Sequence, residues 1–174
     1  PQLGQQFSAK VVNALMRSLN WSSSAYVQVW DEHGGYFDHV APPAAPVPDK
    51  IAPIRAPGAP AAAFDQYGVR VPLLVVSPWS RAGYVSHVVH DHTSILKTIE
   101  IRFGLPALTH RDALAAPLTE FFDFSHPTYA TPPKLPAATV SAKGAAQCAA
   151  LYKDKTLGIC LAVRSPASGR AASP

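Results

Sequence analysis

The chain has 174 residues, 48% hydrophobic and only 15% charged, against roughly 25% charged in an average soluble domain. No apolar run approaches the roughly 20 residues of a membrane-spanning helix, and runs such as 69–76 need burial, which excludes disorder throughout. The net charge of +4 lies wholly in the tail, because residues 1–140 carry ten Lys/Arg and ten Asp/Glu. With no basic stripe on the folded body, a nucleic-acid partner is not expected. Pro1 stands where an initiator Met or a secretion leader would begin, so the chain reads as processed or as part of something longer.

Phe7, Val11, Val12, Leu15, Met16 and Leu19 recur at helical spacing and predict an amphipathic helix over residues 6–19. After a break at 20–24, residues 25–30 predict a strand that stops at Asp31-Glu32. Residues 41–60 hold seven of the 18 prolines, which suits an extended, polyproline-like excursion rather than a helix or central strand. The near-continuous aliphatic run at 69–76 predicts a strand buried on both faces, the habit of a parallel sheet, with Pro72 at its start.

Residues 93–103 predict a helix with Ile95, Leu96, Ile99 and Phe103 on one face. Asp91 or Thr93 caps its start, and Gly104 followed by Pro106 ends it. A further helix is expected over 111–122, interrupted at Pro117. This order of elements predicts an α/β fold over residues 1–127, with 128–174 a less regular basic extension. Cys148 and Cys160 in that extension read equally as two free thiols or as a disulfide. The disulfide would contribute about 3 kcal/mol by loop entropy and imply export. A short strand is expected at 157–163.

The informative stretch is Asp31-Glu32-His33-Gly34-Gly35-Tyr36-Phe37-Asp38-His39-Val40, followed by Pro42-Pro43. Adjacent carboxylates past a strand's carboxyl end, where open α/β sheets place ligands, repel each other unless a cation holds them. Asp31 and Glu32 therefore suit a hard divalent metal. The two glycines let the backbone turn sharply, and Asp38 and His39 return acid/base chemistry to the same place. A second candidate holds His87, His90 and His92 within six residues. For His90 and His92, capping and packing stand beside metal ligation or proton donation as equal readings; His87 reads as structural, and His110 and His126 as surface positions.

Residues 30–43 resemble the Asp-(Asp/Glu)-x-Gly-Gly-x-x-Asp-His-Val-x-Pro-Pro motif of the bacterial phosphoesterase family, which holds the non-specific phospholipases C and related acid phosphatases. Residues 67–79, His90-Asp91-His92-Thr93-Ser94 through Glu100 and Leu105, Arg111-Asp112-Ala113 and Phe122-Asp123-Phe124 resemble its later blocks. The resemblance covers roughly residues 5–125 in order. It implies an alkaline-phosphatase-like α/β/α sandwich with a mostly parallel sheet and an exported (periplasmic or secreted) hydrolase of phosphate esters such as phospholipids. Asp31 and Glu32 would ligate the active-site metal, a Ser or Thr would attack phosphorus, and His39 and His90 would be the acid/base candidates. The prolines after the metal ligands would wall the substrate cleft.

The family's Glu-Asn metal motif and its nucleophile are absent from this sequence. Ser77, Thr93 and Ser94 offer hydroxyls, but none occupies the nucleophile's position. The expectation is therefore the C-terminal part of such an enzyme, partnered by an N-terminal half. The alternative is a non-catalytic remnant or binding domain that keeps the scaffold alone.

Overall fold

The computed structural model describes residues 2–151, apart from the side chains of 145, 148, 149 and 151. They form two compact units, Ala14–Lys134 and residues 2–13 with 135–151. Helix α1 (Gln2–Met16) contributes to both. It begins four residues before the predicted start and stops before Leu19, which is fully exposed. In the smaller unit, Gln2 accepts a hydrogen bond from Ser141 N–H (2.8 Å), just before α4 (Ala142–Leu151). The expected cysteine pairing and the strand at 157–163 lie outside the described residues.

The larger unit carries β1 (Tyr26–Val29) and β2 (Leu73–Val76). They pair antiparallel, Tyr26 opposite Val76 and Val29 opposite Leu73. Among the described residues these two strands are the whole sheet, so the mixed helix-and-sheet class holds while a mostly parallel sheet is not what these residues form. The aliphatic run at 69–76 signalled burial, which says nothing of strand direction. A parallel return needs a crossover, usually a helix, and the proline-rich connection forms none. Pro72, without an N–H, marks the strand's start, and Leu74 is half exposed.

The core lies where β2 ends. Met16, Trp21, Leu118 and Phe122 are buried, with Ser77 and Pro78 among them. Trp21 Nε1 donates to Tyr129 O (2.9 Å) and Trp79 Nε1 to Ser22 O (2.9 Å), so the buried Trp21 and the half-buried Trp79 each satisfy their single donor.

Helix α2 (His92–Phe103) is capped by Asp91, whose carboxylate accepts from Thr93 and Ser94 N–H, and it ends on Gly104 in the left-handed region (φ 65°). Its expected apolar face is open: Leu96, Ile99 and Phe103 are exposed, whereas Ser94 and Glu100 are buried. The docking face is polar because Thr98 Oγ1 accepts Leu118 N–H (2.8 Å) at the 3-10 turn Leu118–Phe121. The helix expected at 111–122 is two pieces, α3 (His110–Leu114) and that turn, divided at Pro117.

The excursion makes no helix, and its base is stitched shut. Ala45 N–H donates to Asp65 O (2.8 Å) and Tyr67 N–H to Pro43 O (3.0 Å) around an isolated bridge of Ala44 with Gln66. Arg111 reaches across from α3, its Nε donating to Pro46 O (3.0 Å) and its Nη2 to Phe64 O, with the guanidinium over the Tyr67 ring.

Candidate active site

The turn after β1 carries Asp31 and Glu32, both exposed. Asp31 Oδ1 accepts the Glu32 N–H (3.1 Å), and the Glu32 carboxylate has no hydrogen-bond partner among the described residues. Gly34 and Gly35 follow with φ of 65° and 78°. Only glycine enters that region freely, so this sharp reversal explains the pair of glycines. His33 Nδ1 accepts the Gly35 N–H (2.9 Å) inside the turn.

Two anchors bracket the acidic pair. Trp30 N–H donates to Pro72 O (3.3 Å), and Trp30 O accepts from His92 Nε2 (2.9 Å). On the far side, Asp38 accepts from Arg70 Nε (2.9 Å), Nη2 (2.7 Å) and N–H (3.1 Å), and from Val40 N–H (3.1 Å). Arg70 and then the Val40 amide hold the Asp38 carboxyl well below the usual carboxylate range, against the opposing effect of burial. Asp38 therefore ties the loop down. His39 is exposed, its ring edge-on to Phe37 (5.1 Å between centroids), with no hydrogen-bond partner among the described residues.

His90 sits elsewhere in the unit, its side chain only 11% exposed. Its Nδ1 faces Ala116 O (3.2 Å) and its Nε2 faces Glu120 Oε1 (2.7 Å), so both ring nitrogens meet acceptors. Glu120 also accepts from the hydroxyls of Ser86 and Tyr84. His92 belongs to the acidic loop through Trp30. His87 is exposed.

The three candidate hydroxyls serve structure. Ser77 Oγ, buried, donates to Ser24 O (2.9 Å); Thr93 Oγ1 donates to Asp91; Ser94 Oγ accepts Asp91 N–H (3.1 Å). Among the described residues no group of three or more His, Cys, Asp or Glu is gathered so as to hold a metal ion. Asp31 and Glu32 offer hard oxygen donors fit for part of such a site, fewer than the six or more that Mg²⁺ or Ca²⁺ takes.

A family model described as the phosphoesterase family matches residues 1–106, the acidic turn and both its anchors included. This chain belongs to that family. It is similar to the non-hemolytic phospholipase C of Pseudomonas aeruginosa, 36% identical over 78% of this chain and 22% of that protein. It is also similar to the phospholipase C B of Mycobacterium tuberculosis, 39% identical over 66% of this chain and 24% of the relative. The non-specific phospholipase C1 of Arabidopsis thaliana is 36% identical over 79% and 28%. The chain thus spans about a quarter of the length of these curated relatives.

Arg70, beside the acidic turn, and Glu120, beside His90, are the residues that sequence reasoning missed. Their partners Asp38 and His90 lie 32 and 30 residues away, and no local periodicity links residues so far apart.

Proposed function

We propose that this chain is part of a divalent-metal-dependent hydrolase of phosphate esters, acting on phospholipids in the manner of a phospholipase C. Asp31 and Glu32 supply its share of the metal ligands. The observation that carries this reading is the pair of adjacent, exposed carboxylates in the family's motif, on a turn pinned from both sides. A bound divalent ion there supplies Lewis-acid polarisation of the phosphoryl oxygens.

His39 is the proton donor to the leaving alkoxide in this proposal, since its exposed ring nitrogens are not engaged among the described residues. His90, with both nitrogens facing acceptors, holds the 84–90 segment against Glu120. With Ser77, Thr93 and Ser94 spent on structure, the attacking hydroxyl and the remaining ligands come from an N-terminal half outside this chain. In the complete enzyme β1 and β2 join a larger, mostly parallel sheet of the alkaline-phosphatase kind, and the enzyme is exported. No helix of the described residues is long and apolar enough to cross a membrane.

The spent hydroxyls also favour a second reading, a binding domain without catalysis. Assays of the full-length protein on a chromogenic phosphodiester, a monoester and phosphatidylcholine separate the two. Metal-dependent turnover that Asp31→Ala abolishes supports the enzyme, and preference for the monoester points to a phosphatase. Wild-type turnover in Asp31→Ala would sink the site assignment, and no turnover on any substrate favours the binding domain.

A further inference from the structure

We propose that His92 is the positioning residue for the acidic pair, acting through the carbonyl of Trp30. The inference rests on the reading of Asp31 and Glu32 as metal ligands and adds what sets their geometry.

A carbonyl only accepts, so the 2.9 Å contact requires the hydrogen on His92 Nε2. That bond fixes the peptide joining Trp30 to Asp31, the unit from which the first carboxylate projects. The other side of Trp30 is fixed through its N–H to Pro72 O (3.3 Å). His92 can serve as a post because its own backbone is rigid: it is the first residue of α2, next to the Asp91 capping box. After Trp30 the next long-range tether among the described residues is Asp38 with Arg70, so the direction in which Asp31 and Glu32 leave the strand depends on His92.

The test uses metal-stripped full-length protein and calorimetric titration with Mg²⁺, Ca²⁺, Mn²⁺ and Zn²⁺ in turn, beside turnover at rising metal. For the ion bound most tightly, His92→Ala is expected to weaken binding about ten-fold, the scale seen for outer residues that orient metal ligands. Its turnover should recover as metal approaches saturation. His92→Gln, whose amide nitrogen reaches the Nε2 position, should regain most of the affinity, and the shorter His92→Asn should not.

Wild-type affinity in His92→Ala overturns the proposal. So does a turnover defect that persists at saturating metal with affinity unchanged, which would place His92 on the reacting atoms. If His92→Ala does not fold, the contrast between His92→Gln and His92→Asn decides alone: equal affinities overturn the proposal. Asp31→Asn is the control for the underlying reading. Should it bind metal as the wild type does, the acidic pair is not the metal site and both inferences fall; should it alone lose the metal, only the role of His92 fails.

Discussion

Arg70 grips Asp38 with two arms of its guanidinium, Nε at 2.9 Å from Oδ2 and Nη2 at 2.7 Å from Oδ1. The pair joins the end of the acidic turn to the chain entering β2. A lysine cannot reproduce a planar two-armed contact, so Arg70→Lys should loosen residues 31–38 and weaken metal binding about ten-fold, the lower end of the range for residues that orient metal ligands. Calorimetric titration of metal into the variant checks this.

The same pair has a pH signature. Asp38's carboxyl is depressed in the folded protein, so its contribution is whole above the unfolded value of about 3.9 and lost as pH falls through the folded value. Urea midpoints measured from pH 6 downward should show this acid loss in the wild type and less of it in Asp38→Asn. Salt should shrink the difference, because Arg70 is 69% exposed.

Glu100 gives the opposite sign. Burial pushes its carboxyl up, and the neighbouring Asp112 adds to the shift. Burial works against Asp112 too, but the Thr109 hydroxyl and the Leu108 N–H outweigh it and hold that carboxyl low. A raised folded value means Glu100's contribution is whole below the unfolded value of about 4.3 and lost as pH rises through the folded one. Glu100→Gln, which cannot ionise, should be more resistant to urea than the wild type at neutral pH. The gap should close near pH 4, read from paired denaturation curves.

Thr109 accepts from Arg111 and Asp112 N–H at the head of α3, and its own N–H donates to Asp112 Oδ1 (2.7 Å). Thr109→Ala removes the cap and one of the donors holding Asp112. It should cost about 1 kcal/mol, measurable as a shift in the urea midpoint at constant slope, whereas Thr109→Ser should recover most of it.

Local chemistry was what the sequence made legible. Asp91 and Gly104 bound α2 because capping and left-handed backbone are properties of single residues, and Pro117 divides the 111–122 segment because it cannot continue a helix. The Gly-Gly turn behind Asp31-Glu32 was readable for the same reason. Strand direction was not, since an aliphatic run is equally apolar in either orientation and the return path was a proline-rich loop. Nor was the docking face of α2, because helical periodicity marks apolar residues without saying what covers them; Thr98 and Glu100 dock instead. Nor was the contact of His92 with the Trp30 carbonyl legible, since it spans 62 residues.

Glu120 distinguishes a structural from a chemical role for His90. Its carboxylate accepts from Ser86, from His90 Nε2 (2.7 Å) and from Tyr84 (3.2 Å), joining the 84–90 segment to the 3-10 turn. Those bonds, Ser86 first and His90 next, hold it below the ordinary range against burial. Its contribution is therefore whole above about pH 4.3 and lost as pH falls through the folded value. Glu120→Gln turns one of two accepting oxygens into a donor and removes the charge. Its remaining oxygen can serve Ser86 and His90 only with the amide NH2 turned to the Tyr84 hydroxyl, which must then accept, and every contact becomes a weaker neutral one. The segment carries exposed Val85, Val88 and Val89, suitable cleavage points for thermolysin. Cleavage there should quicken severalfold in the variant at pH 7, because proteolysis of a transiently opened segment follows the open population. The pH–rate profile for ester hydrolysis should keep its shape if His90 only holds the segment. A shifted acid or basic limb with unchanged proteolysis would instead assign His90 to the proton transfer itself, since only a group that exchanges a proton with substrate brings its own titration into that profile.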